Sequence, residues 1–199
     1  MLSYKDAPKE KLNFLSMEIV LLSLFISLLG IFVGAPVVFL FHIFGWALTG
    51  VPYIAVPKSV LDQLPTVLSL TKDSVFYDLG CGDGRVLHTL ARNSEAQFIG
   101  IEKAPVPYVR AKMWNFFSRE KNVHIMWGDI RKISLENATH IFTYLGTHGM
   151  QMLVPKFEKE LRPGTVLVSC DFPLKQHTPE KTLTIGEAKK EHTVYIYTF

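Results

Sequence analysis

Asp78, Gly80, Gly82, Asp83 and Gly84 crowd into ten residues, "FYDLGCGDGR", where a strand-like run turns directly into helix-like spacing. Alternate glycines permit positive φ and leave bare backbone for a ligand to lie against, while the helix that follows offers unpaired N–H groups. A dinucleotide turn reads G-x-G-x-x-G, its third glycine packing helix on sheet and its helix start holding a pyrophosphate. Here Arg85 takes that third place, the last glycine falls one position early, and Asp78 and Asp83 flank the bend, where they repel a pyrophosphate. The ligand expected at this bend is uncharged or cationic. Cys81 is read as a small loop residue of the same turn.

Two further acids define more of the ligand. Glu102 ends the run "QFIGIE", 20 residues after Gly82, where a carboxylate accepts hydrogen bonds from both hydroxyls of a ribose. Asp129, in "WGDI", is read as meeting the exocyclic amine of an adenine, with a helix N-cap as its alternative role. An adenosine with a cationic tail and an amino-acid end satisfies all of these, and S-adenosylmethionine is that molecule. The two cysteines form no CxxC pair, and the seven histidines show no HExxH or Cys/His zinc spacing, so no metal is expected.

These residues need a scaffold that delivers strand ends to one place. "SVFYDL" (74–79), "QFIGIE" (97–102), "VHIMW" (123–127), "HIFTYL" (140–145) and "TVLVSCDF" (165–172) read as strands. Between them, "RVLHTLAR" (85–92), "PVPYVRAKMWNFFSRE" (105–120) and the stretch from about Gly149 read as helices, the second with Val109, Met113 and Phe116 on one face. Alternating strands and helices imply a parallel sheet covered on both faces. The closing "TLTIGEAKKEHTVYIYTF" reads as a hairpin on an antiparallel edge.

The front of the chain is different in kind. From Ile19 through Pro57 there is no Asp, Glu, Lys or Arg, a stretch longer than the ~20 residues needed to cross a bilayer core. A cleaved secretory signal has an apolar centre of only ~7–15 residues and a small-residue cleavage site, and a soluble helix needs a polar face. Pro36 is expected to kink this segment or to split it into a re-entrant hairpin. The organisation expected is a tail (1–18), a membrane anchor (19–49), a helical lead-in (50–73) and a soluble domain (74–199). Lys5, Lys9 and Lys11 favour a cytoplasmic amino terminus by the positive-inside tendency, which conflicts with a domain that needs a cytosolic metabolite. A hairpin, or a short tail that ignores the tendency, reconciles the two, and the domain is expected in the cytoplasm at the membrane. Beyond residue 50, 18 Lys and Arg mix with 15 Asp and Glu without a basic stripe, which disfavours nucleic acid as a partner.

"DLGCGDGR", "IGIE" and "WGDI" resemble the cofactor motifs of class I, seven-strand methyltransferases. With the apolar anchor, "AVPKSVLDQL", "MQMLVPKFEKELRPGTVLVSCDFPL" and the final strand pair, nearly the whole chain resembles the membrane-anchored protein-lysine methyltransferases that act on the ATP synthase c-subunit and the adenine nucleotide translocase. The resemblance implies an α/β, Rossmann-like seven-strand sheet with a C-terminal antiparallel hairpin, preceded by a transmembrane helix. It also implies a lysine of a membrane protein as methyl acceptor. A lipid or quinone acceptor, and a cofactor-binding scaffold without transfer activity, are the alternatives. Asp171 departs from the basic residue expected in animal members. Tyr144 and Asp171, at the ends of the fourth and fifth strands, are the candidate catalytic residues, with core packing and a turn role as their alternatives. A lysine must lose its proton, and an aromatic-lined channel, with Tyr53, Trp114 and Tyr144 as candidates, lowers its pKa from ~10.4. Trp114 is also read as core. With strands one and five flanking strand four, Cys81 and Cys170 lie about 9.6 Å apart, too far for a disulfide.

Overall fold

Runs of β-branched and aromatic residues, cut by glycine and proline, become the strands of this protein. The computed structural model describes residues 7–49, 54–186 and 190–199. Lys5 and Tyr53 lie outside the described residues. The strands are β1 (Val75–Leu79), β2 (Gln97–Glu102), β3 (Val123–Trp127), β4 (His140–Thr143), β5 (Val166–Cys170), β6 (Lys181–Ile185) and β7 (His192–Thr198). They form one seven-stranded sheet of order β3-β2-β1-β4-β5-β7-β6. The first five run parallel, while β7 pairs antiparallel with β5 and with β6. The final hairpin therefore folds back and inserts its second strand beside β5, leaving β6 on the edge.

Helices cover the sheet: α2 (Lys58–Val67), α3 (Arg85–Ala91), α4 (Pro105–Phe117) and α5 (Gly146–Glu160). Because successive strand residues point to opposite faces, Phe76, Phe142 and Val168 enter one core with Leu64 and Leu87. Their neighbours Tyr77, Ile141 and Leu167 enter the other, against Met150, Leu153 and Phe157. The lead-in helix α2 seats Val60, Leu61 and Leu64 in the first core and continues through Pro65. Cys81 and Cys170 are both buried and free.

Close approach of α3 to the sheet depends on Gly100 in β2. A Cβ there meets Leu87 Cδ1 at 2.5 Å and Cys81 Sγ at 2.8 Å. Gly100→Ala is expected to destabilise the domain by about 1–3 kcal/mol through overpacking, read as a lower urea midpoint at unchanged m-value.

The sheet is covered less evenly than the alternating pattern implies. Val109, Met113 and Phe116 do share a face of α4, but they are 52%, 57% and 81% exposed, while Pro107 and Ala111 face the sheet. Small residues let the helix sit close, and periodicity identifies a stripe without saying which side it faces. Between β3 and β4 the chain crosses without a helix, and His124 and Met126 are exposed, so the sheet is not covered on both faces at this edge.

The chain divides into two compact units, Met1–Phe44 and Gly45–Phe199, and the amino-terminal helix, α1 (Ala7–Thr49, 43 residues), lies in the first apart from its last five residues. It runs unbroken through Pro36. Proline removes one N–H and leaves the rest of the ladder to carry the helix. Within it, Met17–Leu40 is long and apolar enough to cross a membrane and is nowhere buried. Ser23 and Ser27 return their hydroxyls to the carbonyls of Val20 and Ser23, each at 2.8 Å, so neither adds a free polar group.

Candidate active site

The bend after β1 is held from below by its neighbour strand. Gly80 and Cys81 donate their N–H groups to the carbonyl of Ile101 at 2.9 and 3.1 Å. Gly80, Gly82 and Gly84 have φ of +79°, +60° and +83°, which L side chains rarely adopt. A Cβ on Gly80 also meets Leu145 Cδ2 at 2.6 Å.

Glu102 ties this bend to β2. Its Oε2 accepts from the N–H of Gly82 at 2.9 Å, and Oε1 accepts from Lys103 and Ala104 at 2.8 and 2.6 Å. A carboxylate offers about four acceptor positions, so these three bonds leave room for a hydroxyl. Burial raises the Glu102 pKa even against these donors. Asp78 is more extreme. It is 3% exposed, its Oδ2 has no hydrogen-bond partner, and burial, with Glu102 and Asp83 adding, pushes its carboxyl well above the usual range.

The other two acids are neutralised by one repeated device. Asp83 Oδ1 accepts from the Arg85 backbone N–H at 3.3 Å, and the Arg85 guanidinium folds back on both oxygens at 3.0 and 2.7 Å. Asp129 does the same with Arg131, whose backbone N–H and Nε reach Oδ1 at 3.0 and 2.9 Å and whose Nη2 reaches Oδ2; Lys103 Nζ joins at 3.2 Å. The Arg131 guanidinium holds the Asp129 carboxyl well below its usual range. Both sites read Asp-x-Arg in the sequence, a legible signal that the reading from motifs passed over. Among the described residues, no ion pair reaches Asp78 or Glu102. The carboxyls of the site without a cationic partner are therefore those two.

An open cleft is lined by Asp78, Gly80, Gly82, Phe142 and Tyr144, together with Ile54–Val56. Cys81 lines it too, and burial raises its thiol pKa well above the ordinary value, so it stays a neutral packing group. Tyr144 lies 5.7 Å from the ring of Phe172, and burial, reinforced by Asp171, pushes its phenol up to about 12. Trp114 is elsewhere: it stacks on His88 at 4.9 Å and does not line the cleft.

Asp171, just past β5, has a φ of +62°, unusual for a residue with a side chain. Pairing with β7 holds it there: Oδ1 accepts from the Thr193 N–H at 2.8 Å, and Oδ2 lies 2.8 Å from His192 Nδ1. Cys170, Asp171 and His192 bring one ligand atom each within 4.8 Å of one another, a donor set able to hold a metal ion. His192 was missed from sequence because the register that sets it opposite Asp171 joins distant strands.

Residues 78–181 match the family model of the ANTKMT methyltransferase domain. The chain belongs to that family. Its methyltransferase is 33% identical over 153 residues to a protein-lysine N-methyltransferase of Saccharolobus islandicus, covering 74% of this chain and 92% of the relative. Over 124 residues it is 33% identical to a carboxy-S-adenosyl-L-methionine synthase of Actinobacillus succinogenes, covering 57% of this chain and 52% of that protein. A solved RNA methyltransferase of Salinibacter ruber, in complex with S-adenosyl-L-homocysteine, superposes with a TM-score of 0.66 at 32% identity, covering 73% and 93% of the two chains. The enzyme is a class I methyltransferase that uses S-adenosylmethionine. The bend and its neighbour strand fit that cofactor: bare glycine backbone and a buried carboxylate oxygen without a partner line the cleft, and Glu102, outside the cleft lining but bonded to Gly82, keeps an open acceptor position.

Proposed function

We propose that this methyltransferase modifies a lysine of a membrane protein, while Met17–Leu40 holds it to the bilayer. The observation that carries the reading is a single cleft with an unpaired carboxylate, Asp78, at one end and Tyr144, backed by Asp171, at the other. The likeness to the Saccharolobus protein-lysine enzyme supports the choice of acceptor.

In this reading Gly80, Cys81, Gly82 and Gly84 form the floor of the cofactor site, and Asp83 stiffens it through Arg85. Asp78 faces the ammonium of the methionine end, Glu102 the ribose hydroxyls and Asp129 the adenine amine. When bound, the cofactor supplies a methyl group on a sulfonium, open to in-line attack. Tyr144 and Asp171 orient the incoming lysine, and Asp171 takes one proton from its ammonium and passes it through His192 to water. The lysine lone pair freed in this way would be the nucleophile for the methyl carbon that a bound sulfonium would supply, with a neutral thioether as the leaving group. Alignment supplies most of the help such a displacement needs.

Confinement to one bilayer raises the effective concentration of a membrane-protein acceptor. The catalytic domain faces the cytoplasm in this proposal. With α1 unbroken, the short lysine-bearing tail then lies on the far side, against the positive-inside tendency.

Membranes incubated with methyl-labelled cofactor and the full-length enzyme test this. Label is expected in a protein band and, after hydrolysis, in methyllysine. Asp171→Asn is expected to lower that label at least tenfold while cofactor affinity stays unchanged, the scale of a lost proton acceptor. Label confined to the lipid extract or to RNA overturns the lysine reading, and tight cofactor binding with no label anywhere favours a scaffold.

A further inference from the structure

The α4 helix turns an apolar stripe away from the protein. Val109, Met113, Phe116 and Phe117 are 52%, 57%, 81% and 77% exposed. At about 100° per residue they span one arc of roughly 100°, centred opposite the arc of Pro107 and Ala111 that packs on the sheet. The stripe is about 12 Å long. On the same wheel Arg110 and Lys112 flank it, one on each side, and both are exposed. The loop to β3 adds exposed Arg119 and Lys121. The one acid between residues 105 and 122, Glu120, turns inward to His88 at 3.4 Å and Arg92 at 3.9 Å.

We propose that this face of α4 docks on an anionic lipid surface. An apolar stripe bordered by long cationic side chains, with no free acid, is the pattern of a helix lying in the interface plane. The phenyl rings enter the acyl boundary, and Arg110 and Lys112 extend their alkyl stems along it to reach the headgroups. An acidic protein surface complements the charges but leaves two neighbouring phenylalanines without an apolar counterpart. Docking here brings the catalytic domain itself to the bilayer, a contact additional to α1 and independent of which acceptor is methylated.

Site-directed spin labelling of the full chain tests it. Cys81 and Cys170 are 5% and 0% exposed, so a nitroxide on Phe117→Cys is selective, and Lys181→Cys on the opposite sheet edge is the control. In phosphatidylcholine vesicles containing phosphatidylglycerol, the label at 117 is expected to be several-fold less accessible than the control to a water-soluble nickel complex, yet open to oxygen. Arg110→Glu with Lys112→Glu, or vesicles of phosphatidylcholine alone, is expected to restore nickel access. Nickel access at 117 equal to the control overturns the proposal. So does shielding from both probes, which marks a protein partner or a second copy of this chain on the face. Nickel protection that ignores both the charge reversal and the lipid charge overturns the anionic assignment.

Discussion

Asp78→Asn is expected to weaken S-adenosylmethionine binding by roughly 10- to 100-fold while leaving the empty protein at least as stable as before. Loss of a charged hydrogen bond costs about 1.5–3 kcal/mol, and each 1.4 kcal/mol is about a factor of ten in affinity. The second half of the expectation comes from the empty site. Asp78 is buried with an unpartnered oxygen, and its pKa is raised by burial, then by Glu102 and Asp83. The folded state therefore holds that proton more tightly than the unfolded chain does. Stability from this group is full below the ordinary carboxylate pKa of ~3.9 and declines as pH rises toward the folded value. An asparagine cannot ionise, so the variant loses that decline. Melting curves of both proteins without cofactor, from pH 4 to 8, check it: the difference between them should move in favour of the variant as pH rises. A variant that melts lower than wild type throughout, with unchanged cofactor affinity, places Asp78 among structural residues instead.

Glu102→Ala is expected to abolish cofactor binding and also to destabilise the domain, by about 1–3 kcal/mol for each buried N–H it strands. Gly82, Lys103 and Ala104 all donate to this carboxylate, so the substitution loosens the bend itself as well as removing a contact to the ribose. Loss of affinity in this variant is thus no evidence for the ribose role by itself. The intact enzyme separates the two effects. A cofactor product lacking the ribose 2′-hydroxyl is expected to bind wild type about tenfold more weakly than S-adenosylhomocysteine, the scale of one hydrogen bond to a charged group. Equal calorimetric affinity for the two removes the ribose from Glu102 and leaves it a purely structural clamp.

Much of this site is local, and locality made it legible. The bend from Asp78 to Arg85 is specified by glycines whose φ only a residue without Cβ readily adopts, and Glu102 follows at a spacing set by one strand-helix-strand unit. The strands from β1 to β5 lie where residues 74–172 announced them, to within two residues at each end. Charge compensation was harder to see. Asp83 was read as flanking the bend and Asp129 as meeting an adenine amine, yet each is bound by an arginine two residues on. The pattern was present in "DGR" and "DIR", but its meaning depends on a side chain folding back, which motif spacing does not state.

The sequence by itself determined the alternating architecture, the methyltransferase motifs, the apolar helix and the glycine bend with its acids. Each follows from residues near one another along the chain, where backbone preference and periodicity act directly. Tertiary structure alone decided the outward turn of the α4 stripe, the insertion of β7 beside β5 and the pairing of His192 with Asp171. These depend on which of several possible neighbours a surface meets. That choice is made by packing volume and strand register between segments far apart in the chain, and no local pattern encodes it.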